Sequence, residues 1–342
     1  MSRTTSDGPT SVKLSCQFAT SLDSPQHIAI AESLGYDRAW LHDTPQQSPD
    51  VWMMLGLAAV RTERIGLGPG VLVPALRHPM VNASATAALC ALAPGRVAVA
   101  FGTGFSGARA MGAKASTWSY LRDYIRVFRE LLRGETVEWD GGRMRMMHPD
   151  GYAPPRPITV PIAISALGPK GLAVATELGD GLFTVNGETA FAKEYTWAAL
   201  GVHGTVLRDG EALDSPRVRA AAGPGNALAY HAAYEFGGNV TALPAGQAWL
   251  DNINERPSRE RHLAIHDHHL IGLSKADEAA WAAGSWSAIP NTTLTGSAAQ
   301  LTDSLTAIAE QGITEIVYQP TGPDIPSELE AFIDAARAVP SD

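Results

Sequence analysis

Two cysteines, Cys16 and Cys90, are all that the 342 residues contain. Each falls in an apolar stretch, so free buried thiols are expected and a disulfide framework is excluded. Charge is scarce as well. Only 18% of residues are charged, and 26 Lys and Arg are outnumbered by 35 Asp and Glu, for a formal net charge of -9. An acidic surface argues against nucleic acid and anionic membranes as partners. No apolar run approaches the ~20 residues that span a bilayer. The opening residues, MSRTTSDGPTSVK, lack the apolar core of a signal peptide, so a cytoplasmic location is expected, with residues 1–9 as a flexible tail. No G-x-x-x-x-G-K-[ST], G-x-S-x-G or C-x-x-C pattern occurs. NTPase, α/β-hydrolase and thiol-redox readings therefore lack support.

What is present is a soluble-globule composition, 45% apolar, over a length that fits two average domains or one α/β barrel. The stretch from Thr62 to Gly112 is the most informative. It reads as strand (Ile65 to Gly70), loop, alanine-rich helix (Met80 to Leu92), strand (Val97 to Phe101) and glycine-rich loop. Both strands are apolar without alternation, which suits a parallel sheet covered on both faces. Both run into glycine, where the backbone must approach something closely, and in parallel sheets ligands sit at the carboxyl ends of strands.

Further strands are expected at Val12 to Ala19, Arg38 to Leu41, Ile162 to Ser165, Gly181 to Val185, Val218 to Ala222 and Thr314 to Tyr318. Helices read from Ser24-Pro25 to Leu34, from Ser48-Pro49 to Val60, from Ser116 to Arg133, from Pro169 to near Gly179, from Asn226 to Phe236, from Ala298 to Gln311 and from Pro326 to Ala338. Asp140-Gly141-Gly142 predicts a hairpin within Glu135 to Met147. Gly237 to Ile289 reads as an irregular insertion with helical fragments. Eight strands alternating with helices predict an α/β fold, a (β/α)8 TIM barrel in a single domain over residues 10–340, with the hairpin after helix four and the helical insertion before strand eight.

Several motifs fall at strand ends. Gly102-Thr103-Gly104-Phe105-Ser106-Gly107 matches G-x-G-x-x-G. A dinucleotide fingerprint needs those glycines to open a helix directly after the first strand. Here the strand is the fourth and the next convincing helix starts at Ser116, which leaves a glycine loop touching cofactor or substrate, or a plain turn. Ser165-Ala166-Leu167-Gly168-Pro169-Lys170 joins a strand to a helix start, where backbone N–H groups bind phosphate; the alternative is an ordinary turn. His42-Asp43 ends strand two, as proton or hydrogen-bond donors or as a structural histidine beside a capping aspartate. Arg77-His78 stands similarly in the loop after strand three, as a substrate contact or a solvated charge. His262, His266 and His269 fall at i, i+4 and i+7, on one face of an expected helix, with His268 beside them. No cysteine is near and Asp267 lies off that face, so no metal is expected. The remaining readings are a lid whose His266 and His269 reach the substrate, or a structural cluster.

At TERIGLGPGVLVPALRHP, PGRVAVAFGTG and ISALGPKGLAVATELGDGLF the chain resembles the bacterial-luciferase-like superfamily, in particular its branch of methylenetetrahydromethanopterin reductase and other coenzyme F420-dependent oxidoreductases. The resemblance covers Val12 to Ala222 and resumes over Leu294 to Tyr318. It implies a barrel holding a deazaflavin, or FMN as the alternative, at its C-terminal mouth. A bulge after strand three, often with a non-proline cis peptide, backs the ring in this family and falls at Gly70-Val71. Gly102, Thr103 and Gly104 then lie near the ring, Ser165 to Lys170 hold the cofactor phosphate, and His42 and Asp43 match a polar pair after strand two. The implied activity is hydride transfer between F420 and a small organic substrate; FMN-dependent monooxygenation is the alternative and a non-catalytic cofactor-binding barrel a third. A homodimer is the resemblance's implication for assembly. F420-dependent sugar dehydrogenases carry an acidic residue in the glycine loop, where Phe105 and Ser106 stand here, which speaks against sugar oxidation.

Overall fold

The computed structural model describes residues 12–185 and 187–337. The expected tail and the end of the last expected helix, Ala338, lie outside them. The strands are β1 (Lys13–Phe18), β2 (Arg38–Leu41), β3 (Gly66–Pro69), β4 (Val99–Phe101), β5 (Val137–Trp139), β6 (Gly142–Met144), β7 (Ile162–Ser165), β8 (Gly181–Thr184), β9 (Ala198–His203) and β10 (Glu315–Gln319). Among the described residues, eight of them form a sheet in the order β3-β2-β1-β10-β9-β8-β7-β4, and the pairings are parallel. The end strands β3 and β4 meet through parallel bridges, Leu67 with Val97 and Leu72 with Phe101, so the sheet closes into the expected barrel. β5 and β6 form the antiparallel hairpin. Asp140 and Gly141 take positive φ at its turn, 49° and 75°, the conformation a two-residue hairpin requires.

One strand differs from the sequence expectation. Val218 to Ala222 is not a strand but lies within the first two turns of a helix, Pro216–Glu235. Ser215 caps that helix by accepting the Val218 N–H, and Pro216 presets the first turn. The seventh barrel strand is β9, AALGVH, which pairs with both β8 and β10. Its alanines and glycine carry little β propensity; burial between two neighbours places it in the sheet. A second difference is a short helix, Phe105–Ala110, that follows Gly104 directly, where a loop to Ser116 was expected.

Alternation along each strand sends one set of side chains outward to the helices and the other into the lumen. The lumen holds Trp40, Ala98, Ala100, Ala163, Phe183, Ala199 and Val317. Trp40 stacks on Trp197 and meets Phe183 edge-on, and small residues fill the rest of the layer. Gly68 of β3 and Gly70 just after that strand make room for the Trp40 ring. A Cβ at Gly68 would stand 2.0 Å from the Ala98 carbonyl oxygen and 2.9 Å from the Trp40 ring, and one at Gly70 would stand 3.0 Å from Trp40 Cβ. The close approach signalled by these two glycines is therefore, first of all, to a side chain of the lumen. Below Trp40, the buried Glu315 carboxylate accepts from Trp40 Nε1 at 3.1 Å and Trp197 Nε1 at 2.7 Å, and Arg38 lies 3.5 Å away over both indoles. This layer fills the N-terminal end of the lumen.

The insertion before β10 has its own core, in which Trp249, Ile253, Ile265, Ala276 and Ala280 pack on Tyr230. Its helices include Gly246–Asn254, Arg261–Ile265 and Lys275–Ala282. The histidine-rich stretch is not one helix. The helix ends at Ile265, and His268 and Leu270 take left-handed φ of 56° and 60°, so His262, His266 and His269 do not share a helical face.

Candidate active site

At the carboxyl ends of the barrel strands lies a cavity of about 500 Å³, the size of a small-molecule site. Its floor is the next inward layer above Trp40: Gln17, Gly70, Gly102, Ser165, Val185 and His203. The peptide between Gly70 and Val71 is cis, at the position the resemblance implied. Gly102 faces the Val71 side chain; a Cβ there would stand 2.8 Å from Val71 Cγ2. Gly104, at φ 77°, would press a Cβ to 2.2 Å from Val73 Cγ1. These two positions accept no side chain without moving the wall. The opposite wall is Ser165, Ala166, Leu167 and Gly168, which lead into the helix Pro169–Leu178. Gly171 on that helix accommodates Trp118, which also lines the cavity.

The titratable groups are histidines and two carboxylates. Thr20 Oγ1 donates to the His42 carbonyl at 2.7 Å and holds the end of β2 in place. Burial lowers the His42 imidazole to about 4, and burial together with His42 lowers His203 equally, to about 4. Both are neutral at physiological pH and can exchange hydrogen bonds without charge. Asp43 is buried. Arg77 Nη1 donates to both its oxygens, at 2.6 and 2.7 Å, and Arg77 Nη2 reaches Asp50 at 2.7 Å. Burial still raises the Asp43 carboxyl above its ordinary range, against the pull of Arg77. Over the far wall, His269 lies against His231, and His266 Nε2 meets Glu235 Oε1 at 2.7 Å. Gln47 donates to the His266 carbonyl, and Gln319, which accepts from Gln17 at 2.9 Å, donates to the Leu270 carbonyl at 3.3 Å. These two glutamines tie the turn of residues 266–270 to the barrel mouth.

The structure gathers many of the residues singled out in the sequence. His42, Asp43, Gly70 and Val71 line the cavity, as do Gly102, Thr103, Gly104, the Ser165–Gly168 segment and His269. Others stand elsewhere. Pro169 and Lys170 occupy the exposed first turn of their helix, and neither lines the cavity. Arg77 stands behind Asp43. His78 caps the helix Pro79–Leu92, its Nδ1 accepting the Met80 N–H at 3.2 Å. His266 is buried behind Glu235. Residues not foreseen include Gln17, Gln47, His203, His231 and Glu235. His203 follows Trp197, Ala199 and Gly201 at inward positions, a period-two signal that was hidden because β9 was not seen as a strand. Among the described residues no group of three His, Cys, Asp or Glu is arranged to hold a metal ion.

The arrangement suits a flat ring with an acidic tail. Val71, Phe183 and Val185 are apolar lining, Gly102 stands beside the bulge, and the helix Pro169–Leu178 opens next to Gly168, which lines the slot. Comparisons with known proteins agree with this architecture. The chain is 28% identical over 194 residues to a 5,10-methylenetetrahydromethanopterin reductase of Archaeoglobus fulgidus, covering 55% of this chain and 56% of that protein. It is 34% identical over 185 residues to an F420-dependent glucose-6-phosphate dehydrogenase of Beutenbergia cavernae, covering 50% and 54%. The matched region thus spans about half the length of these curated relatives. In three dimensions the chain is similar to a coenzyme F420-dependent tetrahydromethanopterin reductase of Methanopyrus kandleri, with a TM-score of 0.65 at 18% identity over 94% of this chain and 97% of that one. Residues 23–315 match the pattern of the luciferase-like monooxygenases, and the chain belongs to that family.

Proposed function

We propose that the protein is an F420-dependent oxidoreductase that moves a hydride between the deazaflavin and a small, uncharged hydroxyl- or carbonyl-bearing substrate. The single observation that carries this reading is the slot itself: a cis Gly70-Val71 bulge on one side, the Ser165–Gly168 helix opening on the other, and neutral histidines between. The names of the relatives support F420 as the group held there. When bound, the deazaflavin supplies the two-electron chemistry. The chain supplies the rest. Val71 and Gly102 would hold one face of the ring, and the backbone at Gly168, with Lys170 outside it, the acidic tail. His42 would hydrogen-bond the reacting oxygen and is uncharged above about pH 5, since its imidazole titrates near 4.

The walls also bear on the substrate. Among the described residues lining the cavity there is no lysine or arginine, while Asp43 and Glu235 are present. A phosphorylated sugar, the substrate in the name of one relative, would find no free cation on these walls, since the nearest guanidinium, Arg77, is engaged by Asp43 and Asp50, and burying an unpaired phosphate is costly. We assign the protein to the cytoplasm, and as a homodimer: Met53, Leu57 and Val60 at the helix Val51–Ala59, with Val81 and Leu92 of Pro79–Leu92, are exposed apolar side chains suited to a second copy.

Calorimetric titration with F420 and with FMN, followed by anaerobic turnover of alcohols and ketones, tests the proposal. F420 is expected to bind at least tenfold tighter. Turnover with reduced FMN and oxygen, and none with F420, would establish monooxygenation in its place.

A further inference from the structure

The far wall of the cavity contains a chain of hydrogen bonds that the reading above does not use. Asp277 accepts the Trp249 indole N–H at 2.7 Å and the Ser274 backbone N–H at 2.9 Å. His231 Nε2 lies 3.0 Å from Asp277 Oδ1, and His231 Nδ1 lies 3.1 Å from His269 Nδ1. The two imidazoles are stacked, 23° apart in plane with centroids at 5.3 Å. All three side chains are buried, yet His231 and His269 line the cavity. Three elements converge to make the chain: the helix Pro216–Glu235, the capping box that opens Lys275–Ala282, and the left-handed turn at 268–270.

Donor and acceptor roles along it are fixed by elimination. Asp277 receives N–H groups on both oxygens and, in its ionised form, only accepts. Burial opposes that ionisation, but the hydrogen bonds from His231, Ser274 and Trp249 help to hold the carboxyl below its ordinary range. With His231 neutral, its single proton lies on Nε2, facing Asp277, which leaves its Nδ1 an acceptor. The 3.1 Å contact then requires His269 to donate from Nδ1, so that His269 Nε2 bears a free lone pair. This is the orientation logic of carboxylate–histidine pairs, extended by one imidazole. The other ionisable groups near the pair are His42 and His203 at the cavity floor and His266 with Glu235 beside it; the His266 and His269 rings lie 5.0 Å apart at 73°. Burial and these neighbouring histidines hold the His269 imidazole well below its ordinary range.

We propose that His269 is a proton-accepting catalytic residue of the cavity, with His231 and Asp277 positioning it and receiving the charge. The inference rests on the oxidoreductase reading. In the oxidative direction the substrate carbinol C–H bond breaks and its electron pair leaves as hydride to the deazaflavin. The hydroxyl O–H breaks, its proton passes to His269 Nε2, and its electron pair forms the carbonyl. His269 then gives its Nδ1 proton to His231 Nδ1. The charge rests on the His231 imidazolium, paired with Asp277. Reduction of a carbonyl runs the same chain backwards.

Nitrogen-15 NMR of the full-length, cofactor-free protein with labelled histidine tests this without turnover. Near pH 7, wild type is expected to show His269 protonated on Nδ1 and bare on Nε2, and His231 the reverse. His231→Phe, and Asp277→Asn should it fold, release His269 to the Nε2-protonated form. A wild-type His269 already protonated on Nε2, or a tautomer unchanged in the folded variants, overturns the proposal. His269→Gln is expected to lower kcat on a secondary alcohol by about 10²-fold, the usual scale of general-base loss, with KM within threefold; a fall under threefold in kcat also overturns it. F420 titration of wild type separates the two readings. Failure to bind F420 would sink the proposed function while leaving the histidine tautomers as found, whereas normal F420 binding with the wrong tautomer sinks only the relay.

Discussion

Replacing Arg77 with methionine keeps most of the side chain's length but removes the guanidinium that donates to both oxygens of Asp43 at 2.6 and 2.7 Å. The Asp43 side chain is only 1% exposed, so solvent can replace little of the lost pairing. Breaking one side of a buried pair typically costs about 3–5 kcal/mol, because the remaining charge is left unmatched. The expected loss at pH 7.5 is therefore about 3–5 kcal/mol, with Asp50 contributing little, since it is 44% exposed. The loss should depend on pH with a definite sign. Burial already raises Asp43 in the native protein, and removal of Arg77 raises it further. The unfolded carboxyl titrates near about 3.9. Between that value and the raised native one, the native variant binds a proton that the unfolded chain does not, so unfolding becomes easier as pH rises. Lowering the pH from 7.5 should restore up to about 1.4 kcal/mol per unit once the native variant's Asp43 begins to protonate. Urea unfolding of both proteins at intervals from pH 7.5 to 4.5 measures the gap. A gap below about 1 kcal/mol at pH 7.5, or one that does not narrow on acidification, would refute the argument that Arg77 serves Asp43 and not the cavity directly.

Gly102→Val adds methyl groups where a Cβ alone would stand 2.8 Å from Val71 Cγ2; F420 affinity by calorimetry should fall at least tenfold while circular dichroism is unchanged, and unaltered affinity would place the ring elsewhere. Lys170→Ala removes an exposed cation outside the slot, so F420 affinity should weaken by only about two- to fivefold, the scale of a surface charge contact, and the difference should vanish by about 0.5 M salt. Glu315→Gln leaves Arg38 without a counter-charge and turns an amide N–H toward one of two indole donors; urea unfolding should show a loss of about 2–4 kcal/mol, with cofactor affinity changed less than twofold because the cavity floor lies above Trp40.

The sequence alone determined the barrel and much of its mouth. Long, two-sided apolar runs closed by glycine, with helix starts at Ser24-Pro25 and Gly168-Pro169, carry local signals that survive in the fold, because both faces of a parallel strand are buried and its ends are punctuated by turn residues. His42, Gly70, Gly102 and Ser165 could be placed at the mouth since each terminates such a run. Only the tertiary structure decided that AALGVH is a strand, since its small residues have no local preference and gain it from β8 and β10 on either side. It likewise decided that Gly68 and Gly70 make room for Trp40, a residue about 30 positions earlier in the chain. The histidines show the same division. Their number was visible from the start, and a helical face was the natural expectation. The partner of His269 lies instead on a helix 38 residues before it, at His231, which in turn meets Asp277, 46 residues further on. Contacts between such distant segments leave no period in the sequence, because they are made by the packing of whole elements and not by the spacing within one.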